Sequence, residues 1–126
     1  MNTVEWSIRD GKADARFTDE SVWQGAVGAG VVVTILALPD TNDAIVLLDP
    51  DQRPPGIERW HPFHNIVRVT PTGDVCWRSE LLPHETTMKS YYRVAWRERT
   101  LVALTSSYEC ELDADSGRLL NSRFIK

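Results

Sequence analysis

Helix signals are nearly absent from this chain. Asp19-Glu20-Ser21 could cap one short helical turn ahead of Val22 and Trp23, but Gly25, Gly28 and Gly30 oppose its continuation. Cysteine is scarce. Cys76 and Cys110 are the only two, and without Cys-x-x-Cys spacing they exclude a disulfide scaffold and a cysteine metal centre. Each lies in an apolar run and is expected to be a small core side chain. No run approaches the roughly twenty apolar residues of a membrane-spanning helix; the longest, Val31–Leu38, is interrupted by Thr34. No basic stretch followed by an apolar one marks a secretory signal in the first residues, so a cytoplasmic protein is expected. Positive charge is short as well. Lys and Arg number 14 against 18 Asp and Glu, a net charge of −4, which argues against a nucleic-acid binder.

What is present is period-two patterning. Val4, Trp6 and Ile8 alternate with polar residues, Asp10-Gly11 is a hairpin signal, and Ala13, Ala15 and Phe17 alternate on the return. Val31–Leu38 is rich in β-branched side chains and reads as a buried strand. Further strands are predicted over Ala44–Leu48, Asn65–Val69, Asp74–Leu82, Tyr91–Arg97, Thr100–Thr105, Tyr108–Leu112 and Arg118–Ile125. In Tyr91–Arg97 the alternation sets Tyr92, Val94 and Trp96 on one face, opposite Arg93 and Arg97. The predicted fold is all-β: antiparallel meanders forming a two-sheet sandwich or a partly open barrel, with at most one short helix near Asp19–Trp23. The 126 residues make one domain. Residues 1–30 form an N-terminal hairpin and a glycine-rich lead-in, 31–82 a first meander and 90–126 a second.

The two meanders repeat a phrase. "TPTGDVCW" at Thr70–Trp77 and "DADSGRLLN" at Asp113–Asn121 each join the third strand to the fourth through a glycine turn. "VRVTPTGDVCW" and "CELDADSGRLL" resemble the outer strand pair of a blade in PQQ-type β-propellers, where an Asp/Thr-Gly turn leads to a strand ending near Trp. The resemblance covers roughly residues 31–126. It implies blade-like meanders, and neither a closed propeller, which needs about four or more blades, nor a quinone cofactor.

Each candidate for chemistry has a plainer account. "GAVGAG" at Gly25–Gly30 lacks the Lys-Ser/Thr of a Walker loop and is followed by a strand rather than a helix. "DADSG" sets Asp113 and Asp115 at calcium-loop spacing without the remaining ligands, so turn chemistry is the expectation. His61 and His64 are two imidazoles where zinc wants three or four ligands; Glu58 and His84 are the nearest additions. Cys76 with His61 or His84 would make a nucleophile pair, but a mid-strand thiol is usually inert. Glu109 and Glu111 share a strand face and are expected in solvent. No metal and no cofactor are expected.

The expected function is a non-enzymatic protein-binding module: a cytosolic immunity or inhibitor protein that masks a basic toxin, for example a nuclease. Residues 1–50 carry a net −5, suited to steering a basic partner. The predicted contact surface joins Asp40, Asp43, Asp49 and Asp51 to Arg59, Trp60 and His61 in the Pro-rich loop Asp49–Phe63, because loop Trp and Arg are typical binding anchors. Partners are then another protein, not nucleic acid and not membrane. Two alternatives stand beside this. One is a small-ligand-binding or enzymatic barrel in which His61, His64, His84 and carboxylates converge. The other is a structural subunit that uses unsatisfied strand edges.

Overall fold

The computed structural model describes residues 4–17, 22–25, 31–49, 64–80 and 90–125. Over these the chain is all-β, with three antiparallel sheets and no closed barrel. The N-terminal sheet contains β1 (Val4–Arg9), β2 (Lys12–Phe17) and β3 (Val22–Gly25). The middle sheet runs β4 (Val32–Ala37), β5 (Ala44–Leu48), β6 (Ile66–Val69) and β7 (Val75–Arg78). The C-terminal sheet runs β8 (Arg93–Arg97), β9 (Thr100–Leu104), β10 (Tyr108–Leu112) and β11 (Leu119–Phe124). Both four-stranded sheets are sequential meanders.

The middle sheet is covered on both faces, and side-chain alternation decides what each face meets. Ala44, Val46, Leu48, Val67 and Val69 pack with Val32 and Ala13, edged by Trp6 and Trp23 of the N-terminal sheet. Ile45, Leu47, Ile66 and Trp77 pack with Val94, Leu101, Ala103, Cys110 and Leu112 of the C-terminal sheet. Hence all of β5 is buried, at about 1.5–3 kcal/mol for each large aliphatic side chain removed from water.

Three expectations change. The N-terminal hairpin is a three-stranded sheet. Val22 and Trp23 lie in β3, where Trp23 pairs with Ala15, and not in a helical turn; residues 19–21 lie outside the described residues. The run Val31–Leu38 forms β4, an edge strand whose inward residue Val32 is buried while Val33 is exposed. Its β-branched content marks strand, and the fully buried strand is the shorter β5. Tyr92 precedes β8 and is 58% exposed, whereas Val94 and Trp96 turn toward the core.

The repeated phrase has a packing reason. Gly73 has φ +95° and Gly117 φ +76°, a region that L side chains avoid. A tryptophan of the preceding sheet lies against each. A side-chain carbon at Gly73 would fall 2.6 Å from the Trp23 ring. One at Gly117 would overlap Trp77, whose Nε1 donates to the Ala114 carbonyl of the same turn (2.9 Å). Trp77 follows Gly73 by four residues, so the middle sheet both receives a ring and supplies one. The N-terminal sheet supplies Trp23 without a glycine between β2 and β3, and the C-terminal sheet has Asn121 four residues after Gly117.

A buried amide completes the joint between the middle and C-terminal sheets. Asn65 Nδ2 donates to the carbonyls of Leu48 (2.9 Å) and Tyr91 (2.6 Å), and Oδ1 accepts from the Tyr91 N–H (3.0 Å). Tyr91 is itself buried, and burial pushes its phenol above the usual range, so it stays a hydrogen-bond donor to the Glu80 carbonyl (2.8 Å).

Gly117→Ala is expected to cost at least about 1 kcal/mol through the positive φ, and more because the Trp77 ring must move. Urea unfolding checks it; a loss below about 0.5 kcal/mol, the range of neutral surface changes, would contradict the ring-on-glycine packing.

Candidate functional site

Strand direction sorts the turns into two ends. The 38–43, 70–74, 98–99 and 113–118 turns share one end with Asp40, Asp43, Asp74, Glu98, Asp113 and Asp115. Against these six carboxylates stand Arg68, Arg99 and Arg118. Among the described residues the turns at this end thus carry a local balance of −3.

Between the turns lies a groove of about 470 Å³. Leu38, Pro39, Leu112, Ala114 and Leu120 give it an apolar lining, Asp40, Asp113 and Asp115 an acidic rim, and Trp96 and Arg99 complete the wall. Each rim residue is placed by its turn. Asp40 takes φ +64°, a conformation Asp tolerates better than most side chains. The turn around it closes as the Leu38 N–H donates to the Asp43 carbonyl (3.0 Å). Asp113 spends its carboxylate on its own turn, accepting from the Asp115 N–H (3.1 Å) and the Ser116 hydroxyl (2.8 Å). The "DADSG" stretch is therefore a self-satisfied turn, as its composition predicts. Among the described residues the Trp96 indole N–H is buried without a hydrogen-bond partner, a state that costs about 1–3 kcal/mol.

Arg68 locks the groove floor. Its Nε and a terminal nitrogen reach Asp43 Oδ2 at 2.9 and 2.8 Å, and its other terminal nitrogen donates to the Ala114 carbonyl (3.1 Å) and meets Asp115 Oδ1 at 3.5 Å. The Arg68 and Asp43 side chains are 14% and 17% exposed. One guanidinium thus ties the β4–β5 turn to the β10–β11 turn, beside the Trp77 it opposes across the ladder.

The site residues expected from sequence are divided by this geometry. Asp40 stands on the groove rim, exposed. Asp43 is held by Arg68 and is structural. Asp49 follows the far end of β5, six residues beyond Asp43 or about 20 Å at the strand rise. The two do not form one patch. Asp51, Arg59, Trp60 and His61 lie outside the described residues, as does His84. His64 donates through Nδ1 to the Ser79 carbonyl (2.8 Å). Cys110 is buried as expected, but Cys76 is exposed. Partial burial and the Asp43 charge push the Cys76 thiol above its usual range, which disfavours the reactive thiolate. Among the described residues no three His, Cys, Asp or Glu side chains gather as a metal site. Among them, too, no helix is long and apolar enough to cross a membrane. Sequence reasoning missed Trp96, Arg99 and Arg68. The available signal was Arg68, a lone charge in the apolar run "IVRV", which must find a carboxylate when its face is covered.

Residues 31–124 match the model of a domain of unknown function, DUF7957. The chain belongs to this family. The match spans the middle and C-terminal sheets with the whole groove, and leaves the N-terminal sheet outside it. No curated protein and no solved structure matches the chain.

A second polar cluster lies on the outer face of the DUF7957 domain. Glu109 accepts from Arg97 (2.6 Å) and Arg123 (2.9 Å), so it is not the solvated carboxylate expected from sequence. The Arg97 hydrogen bond, aided by the Arg123 charge, holds its carboxyl below the usual range. A depressed carboxyl stabilises the fold above the unfolded value of about 4.3, and the contribution is lost as pH falls through the folded value. Thermal melts should therefore show wild type losing more stability than Glu109→Gln between neutral pH and about pH 3. Parallel losses in the two proteins would contradict the pairing.

Proposed function

We propose that this DUF7957 protein is a non-enzymatic protein-binding module whose acidic groove receives a basic surface of another protein. The carrying observation is the groove itself: an apolar floor with three aspartates on its rim, at an end where six carboxylates stand against three arginines. Such an arrangement steers a positively charged partner and holds it on a desolvated centre. Asp40 has no ion-pair partner among the described residues and is free to meet Lys or Arg. A cytosolic inhibitor or immunity protein that masks a basic toxin, such as a nuclease, fits this chemistry. The enzymatic alternative requires converging imidazoles, and His64 already spends Nδ1 on Ser79.

The test is association with purified basic nuclease toxin domains, measured by surface plasmon resonance across salt concentrations. Wild type should bind with an association rate that falls as salt rises. Asp40→Lys should slow association about tenfold or more and leave the melting temperature nearly unchanged, because Asp40 is exposed. Binding indifferent to Asp40→Lys and to salt would overturn the proposal.

A further inference from the structure

The outer edge of the C-terminal sheet is β11, and among the described residues no strand pairs with its free side. Leu120 and Phe124 are each 62% exposed and Ile125 45%. Edge strands of stable monomers usually carry charges, proline or a cover, whereas from Leu120 to Ile125 the only charge is Arg123. The direction of the backbone groups follows from one bond. The Ile125 N–H donates inward to the Ser107 carbonyl (2.9 Å). By strand alternation Arg123 and Asn121 also face β10, while Phe124 and Ser122 direct their N–H and C=O outward. Among the described residues the Ser122 N–H is met only by the side-chain oxygen of its neighbour Asn121 (2.9 Å).

We infer that β11 pairs antiparallel with β11 of a second copy, about a two-fold axis at Ser122. A strand can pair with itself only if its sequence is compatible with its own reversal. Centred on Ser122, Leu120 faces the partner's Phe124 and Asn121 faces the partner's Arg123. Apolar residues meet apolar residues, and no like charges oppose. Ser122 and the partner's Ser122 exchange two backbone hydrogen bonds, and the Asn121 side chain gives up its local one. The self-complementary register selects a second copy over a foreign strand. The joint sheet then has eight strands. A single strand pair buries less than a standard interface of about 1,600 Å², so the dimer dissociates in the micromolar range.

Sedimentation velocity of the full chain from about 1 to 200 μM should show the mass shift from one chain to two. Ser122→Pro removes the outward N–H without touching the β10–β11 ladder, and edge strands tolerate proline. It should abolish the dimer with an unchanged circular-dichroism spectrum. Phe124→Lys, at an exposed site, should do the same should the proline variant misfold. In a Cys76→Ser background, Ser122→Cys should oxidise to a covalent dimer, since directly opposed residues stand about 5.5 Å apart between Cα atoms, within disulfide range. A monomer at every concentration, or a dimer that survives both Ser122→Pro and Phe124→Lys, would overturn the inference. So would a β11 that binds only a foreign strand.

Discussion

Two tryptophan rings laid on two glycine turns set the spacing of the three sheets. Trp23 on Gly73 and Trp77 on Gly117 each bring an outer strand against the turn of the next sheet. No side chain larger than hydrogen fits between ring and backbone. With the rings seated, the middle sheet lies between two neighbours at a fixed separation, and β5 loses contact with water on both faces. The ring-on-turn contact is made twice. The N-terminal sheet has a ring and no glycine turn, and the C-terminal sheet has a glycine turn and Asn121 where a further ring would stand.

The same joint builds the groove. Trp77 and Arg68 both donate to the Ala114 carbonyl, so the β10–β11 turn is clamped by a ring and a guanidinium at once. Asp43, held by Arg68, belongs to the turn that presents Asp40. Groove floor and acidic rim are therefore rigid consequences of the sheet-to-sheet contact. Such preorganisation lowers the ordering cost of binding.

Much of the strand plan was legible, and the reasons are local. Ala44–Leu48 and Tyr108–Leu112 are bounded by turn residues on both sides, and they form β5 and β10 with those limits. The glycine turns were legible because only glycine accepts their backbone. β3 was not, since four residues between a charged turn and a glycine run carry too little pattern to separate strand from helical turn. The burial of β4 was over-read because β-branched residues report strand and not depth. Asp40 was found as a candidate through charge. Its neighbours Trp96 and Arg99 were not, because the groove is made by turns far apart in the chain and no spacing rule connects them. Asp43 and Asp49 looked alike as acids flanking one strand. Only the strand's length shows that they face opposite ends of the molecule.

The central claim is that the acidic end meets the partner. Hydrogen–deuterium exchange of the chain, free and bound to a basic protein partner, tests it most directly. The account predicts protection concentrated in 38–43, 98–100 and 112–118, with little change at Ser106 and Ser107 on the opposite end. Protection centred on that opposite end, around His64 and Ser106-Ser107, with the acidic turns unaffected, would contradict it.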